Sequence, residues 1–210
     1  MSIYTLRFNR WLRNLREVLR YIFSRKINTA PDNHIVKLKR IRRFAKRIKA
    51  KSFIETGTFY GQTTSFASYL FDRVVSIELS PLLAAANMKD FKNSRNVRIL
   101  EGDSRTALLE AIKNTPSPII FWLDGHYSGG ATAGEEAPCP IMEELNAINQ
   151  LAPSVTFCLL IDDRRLFTGS DGYPTIEQLR QRILAIWSDA DFSFDDDAIV
   201  VLKNGLNAPA

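Results

Sequence analysis

From Ser52 onward the chain alternates short apolar runs with helical stretches five times, and this alternation constrains the fold more than any other feature. The runs are Ser52–Glu55, Arg73–Glu78, Val97–Leu100, Ile119–Leu123 and Val155–Ile161. They are rich in Val, Ile and Phe and too short for helices, which suits strands covered on both faces. Between them lie Gln62–Phe71, a segment opened by Ser80-Pro81, Arg105–Lys113, Pro140–Gln150 and Thr175–Ser188, all read as helices. Proline favours the first turn of the second. Repeated strand–helix units demand parallel strands joined by crossovers. The finish differs, because Phe192–Phe194, the turn Asp195-Asp196-Asp197 and Ala198–Lys203 read as an antiparallel pair. The expectation is an α/β fold with a doubly wound, mostly parallel seven-stranded sheet, a terminal antiparallel hairpin and N-terminal helices.

Charge divides the chain in two. Residues 1–51 hold 16 Lys and Arg against 2 Asp and Glu, a net +14, and the remainder carries −9. A basic helical arm over 1–51 therefore precedes an acidic body over 52–210. Within the arm, Phe8, Trp11, Leu12, Leu15, Val18, Leu19 and Ile22 recur at helical steps between Arg7, Arg10, Arg13, Arg16 and Arg20. The break at Asn28–Asn33 separates this helix, over 3–24, from a second at about 34–50. Such a pair can pack on the body or on another subunit of a homo-oligomer with its basic faces solvated. It can instead rest on an anionic membrane through residues 3–24. Nucleic acid is the weaker expectation, because no aromatic-basic strand motif accompanies the charge. Cys139 and Cys158 form no disulfide framework, and no apolar stretch approaches the roughly 20 residues of a membrane span. These features lead to an expected cytoplasmic location, with a possible peripheral contact at the inner face of the membrane.

The chemistry gathers at strand ends. Trp122-Leu123-Asp124-Gly125-His126 and Leu160-Ile161-Asp162-Asp163 are apolar runs that stop at carboxylates. They lie downstream of a glycine turn, Glu55-Thr56-Gly57-Thr58-Phe59-Tyr60-Gly61. In an open parallel sheet these ends converge on the ligand crevice. Three acids gathered there repel one another unless a cation or a proton offsets them. The turn reads Gly-x-x-x-Gly and lacks the dinucleotide fingerprint. Glu55 before it disfavours a pyrophosphate and suits a cofactor carrying a sulfonium and an ammonium. Glu78 stands where an acid commonly holds ribose hydroxyls, or is an exposed strand-end acid. Asp103, before Ser104, is either a ligand contact or the N-cap of the next helix.

Glu55, Gly57, Gly61, Glu78, Asp103 and Asp124 together have the order and spacing of a class I S-adenosylmethionine-dependent methyltransferase, and the likeness spans about residues 52–204. Glu-Thr-Gly at 55–57, Leu-Asp-Gly at 123–125 and Ile-Asp-Asp at 161–163 more narrowly resemble the macrocin O-methyltransferase family, magnesium-dependent enzymes that methylate sugar hydroxyls. The resemblance implies a Rossmann-like methyltransferase fold. It also implies a cofactor-binding set of Glu55, Gly57, Thr58, Gly61, Glu78, Asp103, Ser104 and Asp124, and metal ligands Asp124, Asp162 and Asp163. Magnesium favours oxygen ligands of this kind, and bound to a sugar diol it would lower the hydroxyl pKa. Asp162 and Asp163 can equally cap a loop beside Arg164 and Arg165, and those arginines can alternatively bind an anionic substrate.

One position departs from the resemblance. Where the macrocin group tends to carry an aspartate as general base, this chain has His126. An imidazole titrating near neutrality can take that role beside Asp124, or simply bond the substrate. His34, the other histidine, reads as a surface residue. The glycine-rich stretch 126–140, with Glu135 and Glu136, is long for a loop and is expected to cover the acceptor. The resulting expectation is a magnesium-dependent O-methyltransferase acting on a hydroxyl of a sugar, glycan or glycolipid precursor. The rival readings are a nicotinamide-dependent oxidoreductase and a catalytically silent cofactor-binding protein that engages a membrane or partner through its arm.

Overall fold

The computed structural model describes residues 3–23, 32–125, 139–151 and 154–204. In chain order the elements are α1 (Ile3–Phe23), α2 (His34–Ile48), β1 (Ser52–Thr56), α3 (Gln62–Ala67), β2 (Arg73–Glu78), α4 (Pro81–Phe91) and β3 (Val97–Glu101). There follow α5 (Ser104–Ile112), β4 (Ile119–Leu123), α6 (Ile141–Ile148), β5 (Phe157–Ile161), α7 (Ile176–Ile186), β6 (Asp191–Asp195) and β7 (Ala198–Lys203). One seven-stranded sheet runs β3-β2-β1-β4-β5-β7-β6. β1 to β5 are parallel, and β7 enters antiparallel between β5 and β6. The expected seven strands and the terminal hairpin are all present.

Alternation along each strand divides the core. Ile54, Phe121, Leu123, Leu159, Ile161 and Val201 meet Leu108, Leu145, Ile148, Leu179 and Ile183 of α5, α6 and α7. Phe53, Val74, Ile120, Trp122, Cys158 and Leu160 meet Ile41, Phe44 and Ala45 of α2 and Ala67 of α3 on the other face. Every residue of β1, β4 and β5 is buried, which is why these strands read as unbroken apolar runs.

The two arm helices dock on this body differently. Asn33 caps α2, accepting from Ile35 N at 2.9 Å, and the apolar stripe Ile41, Phe44 and Ala45 seats the helix against β4 and β5. The buried guanidinium of Arg40 bonds Asp32 at 2.5 Å and the Asp195 carbonyl at 2.7 Å, tying helix to hairpin. α1 packs on α4, but through its polar side. Arg10 bonds the Tyr60 carbonyl at 2.6 Å and Asp90 at 2.7 Å, and its guanidinium lies 5.0 Å from the Phe91 ring centroid. Of the apolar residues in α1, Leu6 is wholly buried, while Phe8, Trp11, Leu15, Val18 and Leu19 are exposed. The expectation of a solvated basic face fails for Arg10, which finds an anion, a carbonyl and an aromatic ring on the body, while Arg7, Arg13, Arg16 and Arg20 of the same helix remain exposed.

Candidate active site

The chain runs outward from β1 through β2 to β3, then returns to place β4 on the other side of β1. That reversal is a topological switch point, where loops diverge and leave a crevice beyond the carboxyl ends of the strands. A cavity of about 240 Å³ opens there. Gly57, Thr58, Phe59, Tyr60 and Asp124 line it from the sheet side. Arg13, Glu17, Arg20, His34 and Lys37 line it from the arm.

Backbone pairing carries the sheet past its formal ends. Gly57 N and Thr58 N bond the Ile77 carbonyl at 2.9 and 3.2 Å. Asp124 N bonds the Thr56 carbonyl at 3.2 Å, and Asp162 N bonds the Leu123 carbonyl at 3.1 Å. Asp124 and Asp162 are thereby held on neighbouring strands. Gly57 has φ +86°, and a Cβ at that position would lie 2.4 Å from the Asp124 carbonyl oxygen, so the turn can press against β4 only as glycine. Gly61, φ +69°, is the N-cap residue just before α3, where a Cβ would meet Asn87 and Arg10.

Asp124, Asp162 and Asp163 each offer a carboxylate oxygen within 4.8 Å of the others. Asp163 takes a left-handed conformation, φ +53°, at the start of the short 3-10 turn Arg164–Leu166. Its Oδ1 lies 2.8 Å from Arg165 Nη1, and Arg165 is also bonded to Asp197. Asp162 is wholly buried and ion-paired to Lys37 of α2, whose Nζ is also 3.8 Å from Asp163 Oδ1. Burial pulls the Lys37 ammonium down, but the charges of Asp162, Asp124 and Asp163 outweigh it and hold the group above its ordinary value. Packing against protein, then the charge of Asp162, pushes the Asp124 carboxyl up, and Lys37 opposes the rise. The charge offset that three clustered acids require is thus supplied in part by the arm itself.

The other expected cofactor residues, Glu55, Glu78, Asp103 and Ser104, do not line the cavity. Glu78 is buried at the end of β2, accepting from Phe59 N at 2.7 Å and Ser80 N at 2.9 Å, so it braces the glycine turn. Asp103 caps α5, accepting from Arg105 N at 2.9 Å, and Arg105 Nη2 lies 2.6 Å from its other oxygen. Hydrogen bonds from Arg105 hold its carboxyl below the usual range. Ser104 is buried beside Glu144 of α6. Glu55 does not face the cavity; it lies between β2 and α3, accepting from Ser76 Oγ at 2.6 Å and from Thr64 Oγ1. His126, Glu135 and Glu136, with residues 126–138 of the glycine-rich stretch, lie outside the described residues.

Two residues of the site escape a reading of the sequence alone. Lys37 is one. His34, expected at the surface, is the other: it lines the cavity, and its buried Nε2 has no hydrogen-bond partner among the described residues. Burial, then Lys37 and Arg13, lowers its pKa to about 4, so the imidazole is neutral at physiological pH. A signal exists in hindsight. Residues 34, 37, 41 and 44 share one helical face, so the apolar stripe of α2, extended by about two turns toward its start, reaches both.

The two buried glutamates beside the site make stability pH-dependent. Burial pushes Glu55 up to about 7 and Glu144 up to about 7. Both values exceed the unfolded carboxyl value, so their stabilising contribution is fully present below about pH 4.5 and is lost as pH rises through about 7. Each shift corresponds to at most about 3 kcal/mol. Urea unfolding of wild type and Glu55→Gln near pH 5 and pH 8.5 checks this: the variant is expected to gain on wild type at the alkaline end, because glutamine keeps an acceptor for Ser76 and Thr64 without a charge. Parallel pH dependences in the two proteins would refute the assignment.

Structural comparison places this geometry among known folds. A candidate O-methyltransferase from Klebsiella pneumoniae superposes with a TM-score of 0.57 at 12% identity, over 96% of this chain and 90% of that one. TomG from Streptomyces achromogenes, an O-methyltransferase of tomaymycin synthesis in complex with S-adenosylmethionine, gives 0.56 at 16% identity over 80% and 79%. A candidate caffeoyl-CoA O-methyltransferase from Staphylococcus aureus gives 0.53 at 16% identity over 96% and 100%. The fold is the Rossmann-like fold of these methyltransferases. No family model matches the sequence, and no curated protein matches it either.

Proposed function

We propose that this chain is an S-adenosylmethionine-dependent O-methyltransferase acting on a hydroxyl of a sugar, glycan or glycolipid precursor. The observation that carries the reading is the crevice at the β1/β4 switch point, where Gly57 and Thr58 face Asp124 across a methyltransferase-like sheet. Gly57 lets backbone approach the cofactor. Glu78, which keeps acceptor capacity beyond its two backbone bonds, would take ribose hydroxyls, with Asp103 and Ser104 toward the adenine. Glu55, pinned by two hydroxyls beneath the turn, would act on the cofactor's cationic end from below, through the field of a partly ionised carboxyl.

The acid trio fits a magnesium ion in donor type, since all three groups offer hard oxygen, and the buried Asp162 Oδ1 has no hydrogen-bond partner among the described residues. Asp124, Asp162 and Asp163 would hold such an ion, which when bound would acidify a coordinated acceptor hydroxyl. Transfer then asks the protein for alignment of sulfonium and hydroxyl and for removal of one proton, the role proposed for His126. The sugar class rests on the Glu-Thr-Gly, Leu-Asp-Gly and Ile-Asp-Asp segments resembling macrocin O-methyltransferases.

Calorimetric titration with S-adenosylhomocysteine, with and without magnesium and with NADH as control, tests the reading. Saturable binding of S-adenosylhomocysteine, with none for NADH, is the expected result. NADH binding in its place would return the crevice to the nicotinamide reading, and no binding of either would overturn the cofactor assignment.

A further inference from the structure

The apolar side of α1 has no partner on the described body. Phe8 is 59% exposed and Trp11 58%, with ring centroids 6.2 Å apart, and Leu15, Val18 and Leu19 continue the same face in the open. Helical geometry sets this stripe opposite Leu6, Arg10 and Glu17, the residues that fasten the helix to its neighbours. The orientation is anchored on both sides of the crevice. Arg10 bonds the glycine-turn carbonyl of Tyr60, and Glu17 accepts from His34 N at 2.9 Å at the start of α2. A helix of ordinary amphipathic sequence is thus held with its large apolar residues outward. A contiguous exposed stripe of this kind marks an interaction surface.

Charge selects the occupant. α1 carries Arg7, Arg10, Arg13, Arg16 and Arg20 against one acid, Glu17. At 100° per residue, Arg7, which is ion-paired to Asp90 but largely exposed, borders the stripe on one side and Arg16 on the other. A second copy seated on this face would bring the two arginine sets together. An anionic lipid surface would meet the two bordering arginines, Arg7 and Arg16, with phosphate and carboxylate groups while taking Phe8, Trp11 and Leu15 into the interface. Helices that lie in the plane of a bilayer combine these features: a strongly charged polar face, arginine-rich flanks, and Trp, Phe and Leu on the other face. No helix among the described residues is long and apolar enough to cross one.

We infer that α1 docks the protein flat on an anionic membrane through Phe8, Trp11, Leu15, Val18 and Leu19. Arg13 and Glu17 of the same helix line the crevice from the opposite side, so docking sets the crevice about one helix diameter, roughly 10 Å, from the lipid. An acceptor hydroxyl carried on a lipid headgroup is then within reach of the strand ends without leaving the surface.

The test uses the full chain in co-sedimentation with vesicles of phosphatidylcholine alone or mixed with phosphatidylserine. Binding to the mixed vesicles is expected to exceed binding to phosphatidylcholine by at least about tenfold and to weaken with salt. The double variant Phe8→Glu, Trp11→Glu is expected to lose at least about tenfold in vesicle binding while keeping its thermal unfolding midpoint and its affinity for S-adenosylhomocysteine. No preference for anionic vesicles, or undiminished binding by the folded double variant, overturns the inference. So does a wild-type dimer in sedimentation velocity that the variant dissociates without any vesicle binding, which would assign the stripe to a second copy. S-adenosylhomocysteine binding is measured separately, so failure of the membrane inference leaves the cofactor reading standing, and the converse holds.

Discussion

Gly57→Ala is expected to remove about 3 kcal/mol or more of stability and to weaken S-adenosylhomocysteine binding by at least about 100-fold. Two costs coincide at this position. With φ at +86°, any side chain meets the left-handed penalty of roughly 1–2 kcal/mol. The Cβ would also lie 2.4 Å from the Asp124 carbonyl oxygen and 3.0 Å from its carbon, and these are backbone atoms that no rotamer change can move. Relief requires β1 and β4 to part at their ends, straining the Asp124 N to Thr56 carbonyl bond and displacing an acid of the trio. Gly102→Ala is the matching control. Its φ of +151° is also unfavourable for a side chain, but the nearest atom to a Cβ is Ala107 Cβ at 3.5 Å. Urea denaturation with calorimetry on both variants separates conformational strain from collision. Equal losses in the two would mean that the turn does not press on β4. A destabilised Gly57→Ala protein with unchanged affinity would mean that the cofactor does not use the turn.

The body was legible because its central strands β1, β4 and β5 are buried on both faces and its helices are not. Short apolar runs bounded by polar segments leave little choice of element, and Arg73–Glu78, Ile119–Leu123 and Ala198–Lys203 match their expected bounds. One helix ends early for a tertiary reason. α3, expected to run to Phe71, stops at Ala67, where the Asn96 side chain bonds the carbonyls of Ser68 at 2.8 Å and Phe71 at 2.9 Å. Nothing local announces a partner 25 residues away in sequence. The acid trio was legible for the opposite reason, since a carboxylate at the end of a buried strand has one place to go. The arm was least legible. An arginine-rich face is read as solvated unless the partner is known, and Asp90, Tyr60 and Phe91 come from the glycine turn and from α4, far along the chain from α1. His34 and Lys37 were hidden likewise, because the charge of α2 masked the continuation of its buried stripe.

Lys37→Met should raise the affinity of the acid trio for magnesium or manganese by about tenfold or more, and should lower stability without metal by about 3 kcal/mol. The ammonium of Lys37 bonds one oxygen of a wholly buried Asp162 and approaches Asp163, so it already places positive charge where a divalent ion would be drawn. A metal entering the site must displace that ammonium or accept its repulsion. Methionine keeps most of the chain's volume and removes the charge, leaving Asp162 buried without its ion-pair partner, the costly half of a broken buried pair. Metal binding to the folded state alone then restores what the substitution took, so the unfolding midpoint of the variant should climb with metal concentration more steeply than that of wild type. Thermal unfolding of both proteins across a magnesium series reads this without any acceptor. A response in wild type that the variant lacks would make Lys37 a residue that orients the acids for the ion. No response in either would remove the ion from the proposal, and Lys37 would stand as the permanent counter-charge of a metal-free site.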